Sequence, residues 1–444
     1  MILNRIMKSR PCIKVILIIV TVLFFVNRSN AFSVLTHEAL IDASWEKYLK
    51  PLLKDKYPAS TEEQLKQARS YAYGGALIAD MGYFPFGSTY YTNLAHYVRS
   101  GDFVSNLISE SQNINEYAFA LGSLSHYMAD KYGHSMATNM VVPMLYPKIR
   151  KKFGDVVTYE DDHISHSRTE LSFDVLQVAK GNYITQSYHD FIGFNVAKPV
   201  LERAFIKTYG EDIHTLFTDL DLTISTFRWA VRSLLPGLAR TAWAMKKDEI
   251  KKSDSTATAR RFHYRMTRKN YFQEFGKKRE KLGFGARAVA FLIKVMPKVG
   301  PFKVFKFKNP GPGGEKLFIK SFDTMLVHYG EAVNSLHTRS LNLADIDYDT
   351  GRNTTMGEYE LADETYSQLV LSMADQKFVY LTQPLQQNIL SFFNNEHRSA
   401  FIQKEPDKWK KTIFAVDMMK TVKPVPVDSL KLQKSPPLSA TQGN

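Results

Sequence analysis

A chain of 444 residues with 44% hydrophobic and 13% aromatic content can bury a large core and hold two or three domains. Its 23% charged fraction is ordinary, which excludes a chain kept unfolded by self-repulsion. The formal charge of +14 leaves room for an anionic partner, and a single cysteine leaves none for a disulfide framework.

The first 31 residues read as a signal peptide. Arg5, Lys8, Arg10 and Lys14 form a basic start, Val15–Val26 an apolar run too short to span a bilayer, and Ser29-Asn30-Ala31 a small-x-small cleavage site. Cleavage makes Phe32 the first residue and places the protein outside the cytoplasm, secreted or periplasmic. Cys12 is removed with the leader, which excludes thiolate chemistry in the mature chain.

From Phe32 to about Gly181 the apolar spacing is helical, with amphipathic helices over Leu40–Leu53 and Glu62–Ala79. Gly82-Tyr83-Phe84-Pro85-Phe86-Gly87 breaks the second. With Tyr90 and Tyr91 it makes an aromatic cluster that suits either a cleft wall or the core. The run Ala118–His134 is helix-forming and free of proline, so His126, Asp130 and His134 stack on one face. Two imidazoles and a carboxylate among small and apolar neighbours offer a borderline metal its preferred donors. His166 and Glu170 repeat the same spacing, and Asp161-Asp162-His163 just before them reads as surface.

Upstream lie Thr36-His37, Asp80 after a glycine pair, and His96, so five of the six histidines between 37 and 166 fall into one ordered series. That series, Phe32, His37, Asp80, His96, His126-x3-Asp130, His134, His166-x3-Glu170, resembles the zinc-dependent phospholipase C family and, more distantly, the single-strand-specific zinc nucleases. The resemblance covers residues 32–175. It implies an all-α multi-helix bundle and two to three zinc ions. Asp80, His96 and His126 would hold one ion, His134, His166 and Glu170 a second, and the Phe32 amine and carbonyl with His37 a third. Asp130 would bridge the first and third, and Asp80 would also act catalytically on the attacking water. Three departures stand out: Phe32 replaces the usual Trp, Asp130 and His134 are unusually close, and Met81 replaces the aromatic that accompanies choline specificity.

The pattern stays helical from Asn182 to Met245, closing a domain over 32–245. Residues 246–320 then carry 21 Lys and Arg against 6 Asp and Glu. Within them, Phe284–Phe307 interleaves apolar residues with Lys294, Lys298, Lys303 and Lys306, a mixture suited to an anionic membrane or nucleic acid and equally to a solvated charged face on a packed helix pair. Asn309–Gly314 reads as a flexible break. A C-terminal helical region follows over 321–421, with helices at Phe318–Leu341, Glu358–Leu381, Leu385–Phe393 and Trp409–Met419 and a polar loop at Asp345–Met356. The Pro- and Ser-rich end, 422–444, reads as disordered.

The resemblance implies an exported phosphodiesterase that cleaves phospholipid to diacylglycerol and a phosphorylated headgroup at a membrane surface. A zinc nuclease on single-stranded nucleic acid is the enzymatic alternative, and a zinc-stabilised helical binding module the non-enzymatic one. The sequence names no protein partner.

Overall fold

The computed structural model describes residues 34–183, 189–190, 192–253, 306–394 and 399–430. The leader, Phe32 and most of the basic segment, including Lys294, Lys298 and Lys303, lie outside them. The architecture is all-α; among the described residues there are no strands, only two isolated bridges. No helix of these residues is long and apolar enough to cross a membrane.

Helix α1 (Val34–Ser44) continues through a π-turn, Trp45–Leu49, into Lys50–Lys56. Helix α2 (Glu62–Gly75) starts at a capping box, Thr61 with Gln64, and gives way to a 3-10 turn over Ile78–Tyr83. Helices α3 (Thr89–Tyr97) and α4 (Ser100–Glu110) lead into α5 (Ile114–Gly133), the central element. Asn113 caps α5 by accepting from the amides of Asn115 and Glu116, both at 3.1 Å. A second π-turn, His134–Thr138, follows it directly. Helix α6 (His163–Lys180) begins where Asp162 accepts from Ser165 N and ends on left-handed Gly181.

α2 and α5 pack almost backbone to backbone. A Cβ on Gly75 would lie 1.8 Å from Phe119 O, and one on Gly122 would lie 2.1 Å from Ala72 O. Only glycine permits that approach, and the approach fixes where His126 sits.

The later helices are α7 (Lys198–Tyr209), α8 (Leu220–Trp229), α9 (Leu235–Ser253), α10 (Gly311–Ser335), α11 (Glu360–Asp375), α12 (Gln383–Phe393) and α13 (Pro406–Thr421). One core joins both halves of the chain: Leu121, Leu124 and Met128 of α5 belong to the same cluster as Met325, Tyr329 and Val333 of α10 and Leu369 of α11. A second, smaller core packs Leu171, Val175 and Leu176 of α6 with Ala239, Ala242 and Trp243 of α9.

Two expectations change. The Asn309–Gly314 stretch is not a break but the entry to α10, which begins at Gly311 with proline in its first turn. Proline is tolerated there because those amides have no helical partner. Gly314 is there for fit, since a Cβ would sit 2.9 Å from Pro310 and 3.1 Å from Val141. At the other end, residues 422–430 are held in place: Val425 N donates to Leu381 O at 2.8 Å. Residues 431–444 lie outside the described part.

Candidate metal centre

The candidate nitrogen and oxygen ligands fall on six neighbouring elements. His37 is on α1, Asp80 in the 3-10 turn, and His96 on α3. His126 and Asp130 are on α5, with His134 at the first position of the π-turn, and His166 and Glu170 are on α6. Phe32, the remaining residue of the series, lies outside the described residues. His163, three residues before His166, is exposed.

Among the described residues three groups could hold a metal ion: His37, His126 and Asp130; Asp80, His96 and His126; and His134, His166 and Glu170. Within each, the donor atoms lie within 4.8 Å of one another. Asp130 stands at the centre. Its Oδ2 is 3.1 Å from His126 Nε2 and 3.6 Å from His96 Nε2. Its Oδ1 is 3.4 Å from His37 Nε2 and 3.9 Å from His134 Nε2. Asp80 Oδ1 lies 3.3 Å from His96 Nε2, and Glu170 Oε1 lies 3.0 Å from His134 Nε2 and 3.5 Å from His166 Nδ1. Donors about 2.0–2.1 Å from a tetrahedral zinc stand about 3.3 Å apart, close to most of these separations.

The backbone sets the imidazole tautomers. His96 Nδ1 lies 2.8 Å from Thr92 O and His126 Nδ1 2.9 Å from Ala76 O. A carbonyl can only accept, so Nδ1 carries the proton in both rings and Nε2 presents a lone pair inward. His166 is turned the other way: its Nε2 lies 3.0 Å from Asn139 Oδ1, leaving Nδ1 toward Glu170. The Asn139 amide is itself oriented, because Nδ2 donates to Asp349 O at 2.7 Å.

The arrangement fits a cation. His37 Nδ1, His126 Nε2, His134 Nδ1, His166 Nδ1 and Asp349 Oδ1 are buried with no hydrogen-bond partner. Such atoms normally pair, and so many in one cluster call for a partner the side chains do not supply. The charges point the same way. Burial works against a charged His126, but Asp130 and Asp80 more than offset it and hold the imidazole up to about 9. His134 is likewise opposed by burial and raised to about 10 by Asp130, Glu170 and Asp349. Burial, aided by the charge on stacked His126 with ring centroids 4.4 Å apart, pushes His37 down to about 4. Asp130 is held well below the usual carboxylate range by the surrounding imidazoles despite its burial. These carboxylates favour positive charge at the centre, from protons or from metal.

One residue of the cluster escaped the sequence reading. Asp349, in the polar loop after α10, puts Oδ1 3.3 Å from His166 Nε2 and 3.5 Å from His134 Nδ1. Beside it, Tyr348 packs on His96 and His126, with ring centroids 5.2 and 5.6 Å away, and its amide donates to His96 O. The aromatic cluster divides: Tyr91 and Phe84 are core, whereas Tyr83 tilts against His96 at 6.2 Å.

A family model described as zinc dependent phospholipase C matches residues 36–219. Through this segment the chain is similar to the zinc-dependent phospholipase C family. The matched segment carries every described residue of the three groups, and Asp349 and Tyr348 reach the cluster from outside it. No curated protein and no solved structure matches the chain.

Proposed function

We propose that the protein is an exported zinc-dependent phosphodiesterase that hydrolyses phospholipid to diacylglycerol and a phosphorylated headgroup. The observation that carries this reading is Asp130, with one oxygen toward His96 and His126 and the other toward His37. A single carboxylate shared by two groups of imidazoles suits a cluster of ions rather than one. In this reading Asp80, His96 and His126 hold one ion, His134, His166 and Glu170 another, and His37 with the Phe32 amine a third, with Asp130 bridging.

Bound zinc would supply an acidified water, a template for the phosphate and countercharge for the oxygens of the displaced ester. The residues do the rest. The side chains of Asp80 and His134, 12% and 16% exposed, are more open than the deeply buried imidazoles behind them, so substrate approaches on their side. Asp80 is placed there to orient the attacking water and accept its proton. Tyr348, buried against His96 and His126, and the close α2–α5 contact hold these imidazoles rigid and away from bulk water.

Lipid access is supported by apolar side chains close by. Phe86 is exposed six residues after Asp80, and the loop carrying it is tied to α8, where Thr223 and Thr226 donate to the carbonyls of Phe86 and Pro85. The same helix exposes Leu222 and Trp229.

The test is a panel of zinc-loaded mature protein against phospholipid vesicles and single-stranded DNA, following phosphorylated headgroup and nucleotides. Headgroup release that a chelator abolishes and zinc restores supports the reading. Cleavage of DNA with no lipid turnover replaces it with the nuclease alternative, and turnover of neither leaves the binding module.

A further inference from the structure

The His134–His166 pair has four ring nitrogens, and the fold faces them with two acids from opposite ends of the chain. Glu170 Oε1 faces His134 Nε2 and His166 Nδ1. Asp349 Oδ1 faces the two remaining nitrogens, His134 Nδ1 at 3.5 Å and His166 Nε2 at 3.3 Å. The His166 Nε2 contact to Asn139 Oδ1 shows which side carries the protons, because the amide is locked and that oxygen can only accept. For His166 the outward nitrogen therefore carries the N–H, and Nδ1, toward Glu170, the lone pair.

Asp349 is built to be rigid. Its Oδ2 accepts from Tyr359 OH at 2.7 Å and from Tyr159 N at 2.6 Å, while buried Oδ1 has no hydrogen-bond partner. The loop around it is pinned at several points. Ser100 Oγ donates to Ile346 O and accepts from Ile346 N, Asp345 Oδ1 accepts from Asp102 N, and Tyr127 OH donates to Ala344 O. Gly351, with φ of 71°, runs so close to α5 that a Cβ would lie 2.6 Å from Lys131 O.

Asp345 and Asp347 do not share the role of Asp349. The first caps α4, and the second closes its own turn onto Thr350 N at 2.7 Å.

We propose that Asp349 is a positioning carboxylate for the second metal position. Its charge faces the outward nitrogens of both rings, beside the Asn139 oxygen that takes the His166 N–H, and so holds His134 Nε2 and His166 Nδ1 toward Glu170 and the ion. This rests on the metal-site reading above and adds that the family segment, residues 36–219, does not complete its own site. Carboxylates behind ligating imidazoles fix the ring and raise its basicity, and losing one typically costs about 10–100-fold in metal affinity.

The test uses the full mature chain and Asp349→Asn. The asparagine carbonyl can still accept from Tyr359 and Tyr159, so the anchor is kept while an NH2 replaces the oxygen facing the imidazoles. Zinc per chain is measured in a chelator competition, with the melting temperature of the metal-free protein alongside. Expected is a loss of about 10–100-fold in affinity for one zinc equivalent, with the others and the metal-free melting temperature unchanged. Glu170→Gln should deplete the same equivalent, and the double variant should lose no second one. Tyr359→Phe, which leaves the carboxylate in place, should keep that zinc. Wild-type affinity in Asp349→Asn, or an equal loss at every position with a lower melting temperature, overturns the inference alone. A wild-type protein that binds no zinc overturns both this and the functional reading.

Discussion

Asp130→Asn is the most direct perturbation of the proposed centre. The change is isosteric and leaves helix α5 intact, but it removes the charge that faces His126 at 3.1 Å, His37 at 3.4 Å, His96 at 3.6 Å and His134 at 3.9 Å. Breaking one partner out of a buried charged pair costs about 3–5 kcal/mol. If that cost falls on metal binding, at 1.36 kcal/mol per decade it weakens affinity by roughly two to four decades. Because each Asp130 oxygen serves a different group, more than one ion is affected. His37→Ala and Glu170→Gln, by contrast, should each lose about one. The assay is elemental analysis of the mature protein equilibrated in buffered zinc, with circular dichroism to confirm the helices. An Asp130→Asn protein that keeps the full wild-type zinc complement refutes the bridging role.

Other measurements reach further into the structure. Asp174 on α6 accepts from the amides of Leu35 and Thr36, which ties down the start of α1, so extra residues before Phe32 should lower zinc content and activity together; equal values in extended and processed forms would remove the N-terminus from the site. Burial opposes a charged His189, but Glu38 and Asp42 outweigh it and raise the imidazole to about 10. A folded value above the unfolded 6.5 means this contribution is complete below about pH 6.5 and disappears as pH rises to about 10, so the urea-midpoint gap between wild type and His189→Gln, at most roughly 5 kcal/mol, should shrink across that window. A constant gap would show that His189 acts through packing alone. Gly122→Ala should cost about 1–3 kcal/mol in chemical denaturation, since its Cβ would press on Ala72 O, and a neutral result would mean the α2–α5 contact yields easily. Phe86→Ser with Trp229→Ser should slow turnover of vesicles and spare a soluble short-chain substrate; equal losses on both would place these residues in the fold of the site rather than at a lipid surface.

The sequence was most legible where helical periodicity applied. The spacing of His126, Asp130 and His134, and of His166 and Glu170, put each set on one helical face, and the structure has both. His37, Asp80 and His96 share no helix with those residues, so only the ordered resemblance connected them. Asp349 was hidden for a physical reason. It lies in an extended loop with Asp345 and Asp347, and three acids alternating with buried Ile346 and Tyr348 look alike until the fold sends each to a different partner. The start of α10 was misread because Pro and Gly usually end helices, whereas here they occupy a first turn and a close contact with Val141.

The π-turn at His134–Thr138 gives one short tract of this protein a one-sided tolerance of length. A wider turn holds one residue more than the α-helical turn it replaces, so the helix beyond it, Asn139–Leu145, keeps its alignment with the helix before it. Removing one residue between Ser135 and Thr138 would let the regular spiral run through and leave Asn139 facing His166. Adding one would exceed what a single wide turn absorbs and rotate everything beyond it by about 100°. Asn139 would then swing away from His166 and from the amide of Val157, which its carbonyl accepts at 3.0 Å. Point substitutions at half-buried Ser135 and Met136 should be absorbed, so this tract accepts shortening and exchange but not lengthening.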